Sequence, residues 1–270
     1  MYKALENSLF VSNYERFCDI QAAVKKFNAL YNGANIVQDD VFTIAENYVR
    51  KNDMTLELLR IPVEDPEFCA CTFIRQNRVF VMINTAMPVS KQIFAIAHEL
   101  YHIYCFFEGE DRQSLVKHGS VLKSKVLEDA SIEDIEANAF AGLLLAQREQ
   151  LDFQISVYDI VRENLSWRDC VKLMDAFAIP YKAIVLRLYE EKMIDESKAR
   201  DLFAQSSTDV NDYIRLTGKG LRWLEPTNTV QLGSLQENFR INAGTDSLTE
   251  TRKESDQKRI DEIIQSYRKK

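Results

Sequence analysis

The chain has three histidines, and two of them stand in His98-Glu99-Leu100-Tyr101-His102, an H-E-x-x-H pattern. On a helix these two imidazoles sit at i and i+4 on one face, where both reach a single zinc ion. Glu99 lies one position round from His98, placed to address a water beside the metal rather than the metal itself. Zinc lowers the pKa of such a water to about 7. A carboxylate in the place of Glu99 takes its proton as general base and passes it to the leaving amine, a role worth roughly 10²–10⁴-fold. The pattern points to hydrolysis of an amide. The plain alternative is a pair of helical histidines that hold no metal.

Two imidazoles do not complete a catalytic zinc site; a third protein ligand is needed, with the fourth position left to water. Downstream, His118, Glu133, Asp134 and Glu136 offer one. Asp134 and Asn138 are i and i+4, so one can ligate while the other hydrogen-bonds a ligating group. Glu136 points about 200° away from Asp134 on an ideal helix, so both cannot face the metal. Asp134 also ends Ser131-Ile132-Glu133-Asp134, an S-x-x-[DE] box of the kind that starts a helix, and this role is compatible with ligation. Cys105 falls on the stripe of His98 and His102 and reads as a small buried thiol beside the site. A donor to the oxyanion is also expected, from His118 or a tyrosine.

The elements that must position these groups follow from periodicity. Apolar residues at helical spacing predict a helix over Tyr14 to Tyr31, with Phe17, Ile20, Val24, Phe27 and Leu30 on one stripe. A second follows Asp39 and Asp40, burying Val41, Ile44, Ala45, Tyr48 and Val49. Leu56 to Val63, Cys71 to Ile74 and Val79 to Ile83 are short, rich in β-branched or aromatic residues, and predict a small antiparallel sheet. The histidine helix begins after Ser90, with Ile93, Ile96, Leu100, Ile103 and Phe107 on roughly the opposite face from His98 and His102. The charged stretch Glu108 to Ala130 reads as a loop with a helical turn, and the acidic helix starts near Ser131. From Ser156 the chain is again helical, punctuated by Ser166, Pro180 and Asp195. The last twenty residues, TRKESDQKRIDEIIQSYRKK, predict one docked or fraying helix through Ile260, Ile263, Ile264 and Tyr267.

Composition agrees with a mostly helical chain. Eight glycines and five prolines in 270 residues fall well below the roughly 12% of average proteins and argue against a sandwich or barrel. With 46% apolar and 28% charged residues the chain can bury a sizeable core. The longest apolar run, Ala139 to Ala146, is far short of the roughly 18–20 residues of a membrane span. The start of the chain lacks the layout of a signal peptide, so the expected location is the cytoplasm and no membrane partner is expected. A net charge of −7 disfavours a surface that tracks nucleic acid. The five cysteines include no C-x-x-C pair and read as reduced, mostly buried thiols.

The sequence resembles the ImmA/IrrE family of metallo-endopeptidases, whose members carry A-H-E-x-x-H on one helix and E-x-x-x-N-x-F-A-x-x-L-L-M-P on a later one. Here these stand as Ala97-His98-Glu99-Leu100-Tyr101-His102 and as Asp134 through Asn138, Phe140 and Ala141 to Leu145-Ala146. The strand ending Met82-Ile83-Asn84 and the stretch Pro180 to Ile194 are also similar to the family, so the resemblance spans roughly residues 20 to 195. Three positions depart from it: Asp134 replaces the usual Glu, Tyr101 replaces a small residue, and Leu145-Ala146 replaces Met-Pro.

The resemblance implies an α+β, predominantly helical protein with a zincin-like, gluzincin-related core, a small antiparallel sheet and a C-terminal helical region. On this reading residues 1–152 form the metallopeptidase domain, 153–225 a helix-turn-helix-like or αα-hairpin region, and 226–270 a partly mobile extension. It implies Zn²⁺ held by His98, His102 and Asp134, with Asn138 hydrogen-bonded behind a ligand and Glu99 as the base. It also implies, as substrate and partner, a phage-type helix-turn-helix transcriptional repressor encoded by a mobile element and cleaved to derepress transcription. Substrate in such folds lies extended along a sheet edge, here one of the three strands before the histidine helix. The competing reading is a DNA-binding or protein-interaction regulator with a catalytically silent metallopeptidase fold. Trp167 to Met193 would be its helix-turn-helix, but five basic and four acidic residues there are too balanced for a strong phosphate footprint.

Overall fold

A computed structural model describes residues 3–32, 35–109, 114–123, 131–245 and 248–268. Two short helical turns, α1 (Lys3–Glu6) and α2 (Leu9–Ser12), lead into α3 (Tyr14–Tyr31). The Asn13 side chain opens α3 by accepting from the Arg16 amide, which satisfies one of the orphan donors of a helix start. Phe17, Ile20, Val24 and Phe27 are buried along its inner face, together with Asn28. Leu30, expected on that stripe, is 61% exposed, because six residues carry it about 120° round the helix from Val24. Helix α4 (Val41–Lys51) buries the five residues expected of it.

The sheet has the order β4-β2-β3-β1-β5, from β1 (Thr55–Ile61), β2 (Phe68–Arg75), β3 (Arg78–Asn84), β4 (Ser120–Lys123) and β5 (Gln231–Leu232). β2 and β3 form a hairpin closed by Gln76 and Asn77, with φ +52° at Gln76, as a two-residue turn between twisted strands requires. β1 pairs with β3 in parallel, Thr55 opposite Arg78 through Ile61 opposite Asn84. The sheet is therefore mixed, which corrects the antiparallel expectation within the expected α+β class. The chain leaves β1, crosses the end of β3 and enters β2 on the far side, so the returning hairpin brings β3 back in the direction of β1. Asn84 pins this crossover: its side chain accepts from the Val63 amide (3.0 Å) and donates to the carbonyls of Val63 (3.2 Å) and Phe68 (2.9 Å).

Helix α5 (Val89–Glu108) lies against β2 and β3. It buries Ile93, Ile96, Leu100 and Ile103, all fully, with Phe107 packed at the margin. The stretch expected as a loop holds a helical turn, α6 (Ser114–Lys117), but also the edge strand β4; residues 110–113 and 124–130 of it lie outside the described residues. Gly119 turns the chain into β4 with φ +69°, and a Cβ there would stand 2.8 Å from the Thr72 carbonyl oxygen. Only glycine permits both the conformation and that approach. Helix α7 (Ile132–Leu145) then packs on α3 and α5 and buries Phe140, Leu144 and Leu145 completely.

Beyond it come α8 (Arg148–Val157), α9 (Trp167–Phe177), α10 (Tyr181–Glu190), α11 (Glu196–Phe203), α12 (Ser207–Thr217) and α13 (Leu221–Leu224). The expected punctuation recurs as caps. Ser166 and Asp169 form a reciprocal capping box at α9, Ala178 ends α9 at φ +57°, Pro180 precedes α10, and Asp195 accepts from the Lys198 amide at α11. Within α10 only Lys182 is exposed, and α9 and α10 pack as an αα-hairpin. Arg187 of α10, 1% exposed, donates to Glu190, Glu191 and the Ala146 carbonyl at the end of α7. Gly142 makes room for its stem, since a Cβ there would meet Arg187 Cδ at 3.0 Å.

The chain then returns to the sheet, where β5 pairs antiparallel with β1. Glu57 of β1, 4% exposed, accepts from the Ser234 amide and hydroxyl, both at 2.7 Å, and from Arg78. Helices α14 (Leu235–Ala243) and α15 (Glu250–Arg268) follow, with Ile260 buried. All five cysteines are free thiols: Cys69 and Cys170 are buried, Cys71 and Cys105 half-buried and Cys18 exposed. Among the described residues no helix is long and apolar enough to cross a membrane.

Candidate metal centre

The i and i+4 spacing on α5 brings the Nε2 atoms of His98 and His102 to 3.3 Å from one another. Asp134 reaches them from the first turn of α7. Ser131 caps that turn: its hydroxyl accepts from the Asp134 amide (3.1 Å) and donates to Asp134 Oδ2 (2.8 Å). The other oxygen, Oδ1, is thereby directed at the histidines, 3.5 Å from His98 Nε2 and 4.0 Å from His102 Nε2. Asp134 thus meets the cap with one oxygen and the histidines with the other.

These three donor atoms fit a metal ion. A tetrahedral ion with bonds of about 2.0–2.2 Å separates its donors by roughly 3.3–3.6 Å, close to the triangle they form. His98, His102 and Asp134 are the one group of three or more such side chains, among the described residues, whose ligating atoms lie within 4.8 Å of one another. Asn138, one turn beyond Asp134, places Oδ1 3.0 Å from His98 Nδ1. An amide oxygen only accepts, so the imidazole carries its proton on Nδ1 and presents a bare lone pair at Nε2.

Glu99 is fully buried. Its Oε2 accepts from the Ser120 hydroxyl of β4, while its Oε1 is buried without a hydrogen-bond partner. Burying a carboxylate oxygen unpaired is costly. Beside a triangle of candidate ligands, such an oxygen marks a place for a polar guest. A cavity of about 320 Å³ opens at two of the three candidate ligands, walled by His102, Asp134, Cys105, Leu115 and Ser120 among others, but not by His98 or Glu99.

Electrostatics suits a cation. Burial lowers the His102 pKa, and the neighbouring His98 adds to this against the carboxylates of Glu99 and Asp134; a neutral imidazole is the ligating form. Burial pushes the Asp134 carboxyl up, but the neighbouring His98, then the Ser131 hydroxyl and His102, outweigh it and hold the group below its ordinary value. On β2, burial and then the Glu99 charge push the Cys71 thiol up to about 11, so it stays protonated.

The other candidates are placed elsewhere. Glu136 accepts from Arg16 Nε (2.8 Å) and Nη2 (3.0 Å) of α3 and from the Tyr101 hydroxyl. His118 and Glu133 are exposed and outside the ligand group. Sequence reasoning missed Ser120, because a four-residue strand shows no periodicity, and Arg16, whose partner is 120 positions away. Tyr101, one of the departures from the family pattern, is a polar partner at the cavity wall. The expected substrate edge also changes: β1 and β2 are flanked by β5 and β4, so the sheet edge at the cavity is β4.

No curated protein matches the chain. The family model described as IrrE N-terminal-like domain, of the peptidase M78 kind, matches residues 48–189. That span opens in α4, takes in the strands β1 to β4, both helices of the His-His-Asp group and Glu99, and ends in the buried hairpin. Covering more than half of the chain, the match places this protein in the IrrE N-terminal-like family of metallopeptidase type.

Proposed function

We propose that the protein is a zinc-dependent endopeptidase that cleaves a helix-turn-helix transcriptional repressor and so releases repressed genes. The observation that carries the reading is the divided carboxylate of Glu99, one oxygen tied to Ser120 and the other unpaired beside His98, His102 and Asp134. His98, His102 and Asp134 would hold the ion, with Asn138 fixing the His98 tautomer. Zinc, when bound, supplies Lewis acidity toward a water and a peptide carbonyl. Glu99 takes the proton of that water at Oε1 and returns it to the leaving amine. Ser120 keeps the carboxylate from rotating away during the transfer.

An extended stretch of substrate would add to the edge of β4, where Gly119, Ser120 and Val121 line the cavity and Val121 is 51% exposed. Main-chain hydrogen bonds would then hold the scissile peptide beside the ion. A repressor as substrate rests on the family, whose sequence pattern the chain carries, and on the charge of −7, which disfavours direct DNA binding. The extensive burial of α10 likewise disfavours its use as a recognition helix.

The test is zinc content and cleavage of a repressor encoded by a neighbouring gene. About one zinc per chain is expected, with Glu99→Gln keeping the metal and losing about 10²–10⁴-fold in cleavage rate. Failure to bind zinc after reconstitution, or wild-type cleavage by the Gln variant, overturns the reading.

A further inference from the structure

Three side chains from three helices close a ring at the cavity wall. Arg16 of α3 donates through Nε and Nη2 to the two oxygens of Glu136 on α7, at 2.8 and 3.0 Å, and through Nη2 to the Tyr101 hydroxyl of α5 at 3.2 Å. Tyr101 in turn donates to Glu136. Tyr101 is 4% exposed, and the side chains of Glu136 and Arg16 are 13% and 30% exposed. A two-pronged guanidinium–carboxylate pair with a buried hydroxyl on the same carboxylate is a stiff, directional connection.

The ring lies close in sequence to a candidate ligand on each metal helix. Tyr101 precedes His102, and Glu136 follows Asp134 by two. Residues two apart on a helix point about 200° from one another, so Glu136 held in the ring and Asp134 held by the Ser131 cap fix the roll of the first turn of α7. The family usually has glutamate where Asp134 stands, and aspartate is one methylene shorter. A shorter arm needs α7 nearer to α5, and Ala137 and Ala141, both fully buried, give the room. We propose that Arg16, Tyr101 and Glu136 are positioning residues that set the spacing of α5 and α7 so that the short carboxylate of Asp134 reaches the metal. This rests on the metal-site reading above.

The test compares zinc affinities, by competition with a chromogenic chelator, for wild type, Tyr101→Phe, Glu136→Gln, Asp134→Glu and the double variant Tyr101→Phe/Asp134→Glu. Each variant that opens the ring is expected to bind zinc about 10–100-fold more weakly, the usual loss for a group that orients a ligand, with far-UV circular dichroism unchanged. Asp134→Glu is expected to weaken zinc binding in the wild-type background, where the longer arm is crowded, and to strengthen it in the Tyr101→Phe background. A change of sign is coupling that a merely structural role would not produce. Should Tyr101→Phe fail to fold, Arg16→Gln opens the ring from its exposed side, and the same pairing with Asp134→Glu decides. Wild-type affinity in the opened variants, or the same factor for Asp134→Glu in both backgrounds, overturns the inference while leaving the metal site standing. Absence of zinc binding by the wild type removes both.

Discussion

Asn138 Oδ1 stands 3.0 Å from His98 Nδ1, one helix to the other, and so decides which imidazole nitrogen is left bare for a metal. His98 is fully buried, and no solvent competes for that contact. Asn138→Ala should therefore lower zinc affinity by about 10–100-fold, whereas Asn138→Asp, which still accepts the proton, should retain it. Chelator competition on the two variants checks the ordering.

Removal of a ligand is expected to cost far more than removal of its support. Asp134→Ala should bring zinc content after gel filtration close to zero. His118→Ala and Glu133→Ala, whose side chains are exposed and outside the ligand triangle, should stay near one zinc per chain. Loss of zinc in either of these with retention in Asp134→Ala would move the third ligand.

Ser120 touches Glu99 but belongs to no ligand group. Ser120→Ala should leave zinc affinity unchanged and lower kcat by roughly 10–100-fold, since a hydrogen bond to a charged group is worth about 1.5–3 kcal/mol. Ser120→Thr, which restores the hydroxyl, should recover most of it. A fall in zinc content alongside kcat would contradict the assignment.

Among the described residues Arg187 is the largest fully buried side chain, and the side chains of its partners Glu190 and Glu191 are 2% and 5% exposed. Arg187→Ala strands the Glu190 carboxylate and the Ala146 carbonyl and leaves the Glu191 carboxylate to Arg148 at 3.3 Å, with an expected cost of about 3–5 kcal/mol in urea unfolding. Arg187→Met keeps the stem that lies on Gly142 but still leaves the Glu190 carboxylate unpaired, so it too should destabilise.

The capping box of α9 carries a pH signature. Burial pushes the Asp169 carboxyl up, but the hydrogen bonds from Lys172 and Ser166 outweigh it and hold the group below its ordinary value. A depressed carboxylate contributes its stability in full above the unfolded value near 4 and loses it as pH falls through the folded one. Asp169→Asn should thus be less stable than wild type at pH 7, with the gap closing below about pH 4. Ser166→Ala, which removes the cap itself, should cost about 1 kcal/mol at neutral pH. Denaturant titrations at pH 7 and pH 3 test both.

What the sequence disclosed follows from the range of its signals. Helical periodicity is local, so α3 was legible from end to end and the five buried residues of α4 were legible one by one. The spacing of His98 and His102, and of Asp134 and Asn138, is local too. That the two pairs meet depends on α7 packing against α5, for which the motif of the family was the only guide. Strand direction was not legible: Leu56 to Val63 alternates in the same way whether its neighbour runs with it or against it, and the crossover held by Asn84 decided. Ser120 and Arg16 were silent for the same reason, since a hydroxyl in a short charged stretch and a lone surface-type arginine acquire meaning only from distant partners.

The unequal edges of the sheet bear on self-association. An open strand edge is a template on which stray extended chains accumulate. At one end of the sheet that template is two residues long, and the Ser234–Glu57 contact turns the chain away directly after it. At the other end β4 offers four residues and runs along the cavity. On the function proposed here, this is the edge a substrate would fill, so aggregation through the sheet has one end too short to zip onto and another where it must compete with the chain to be cut.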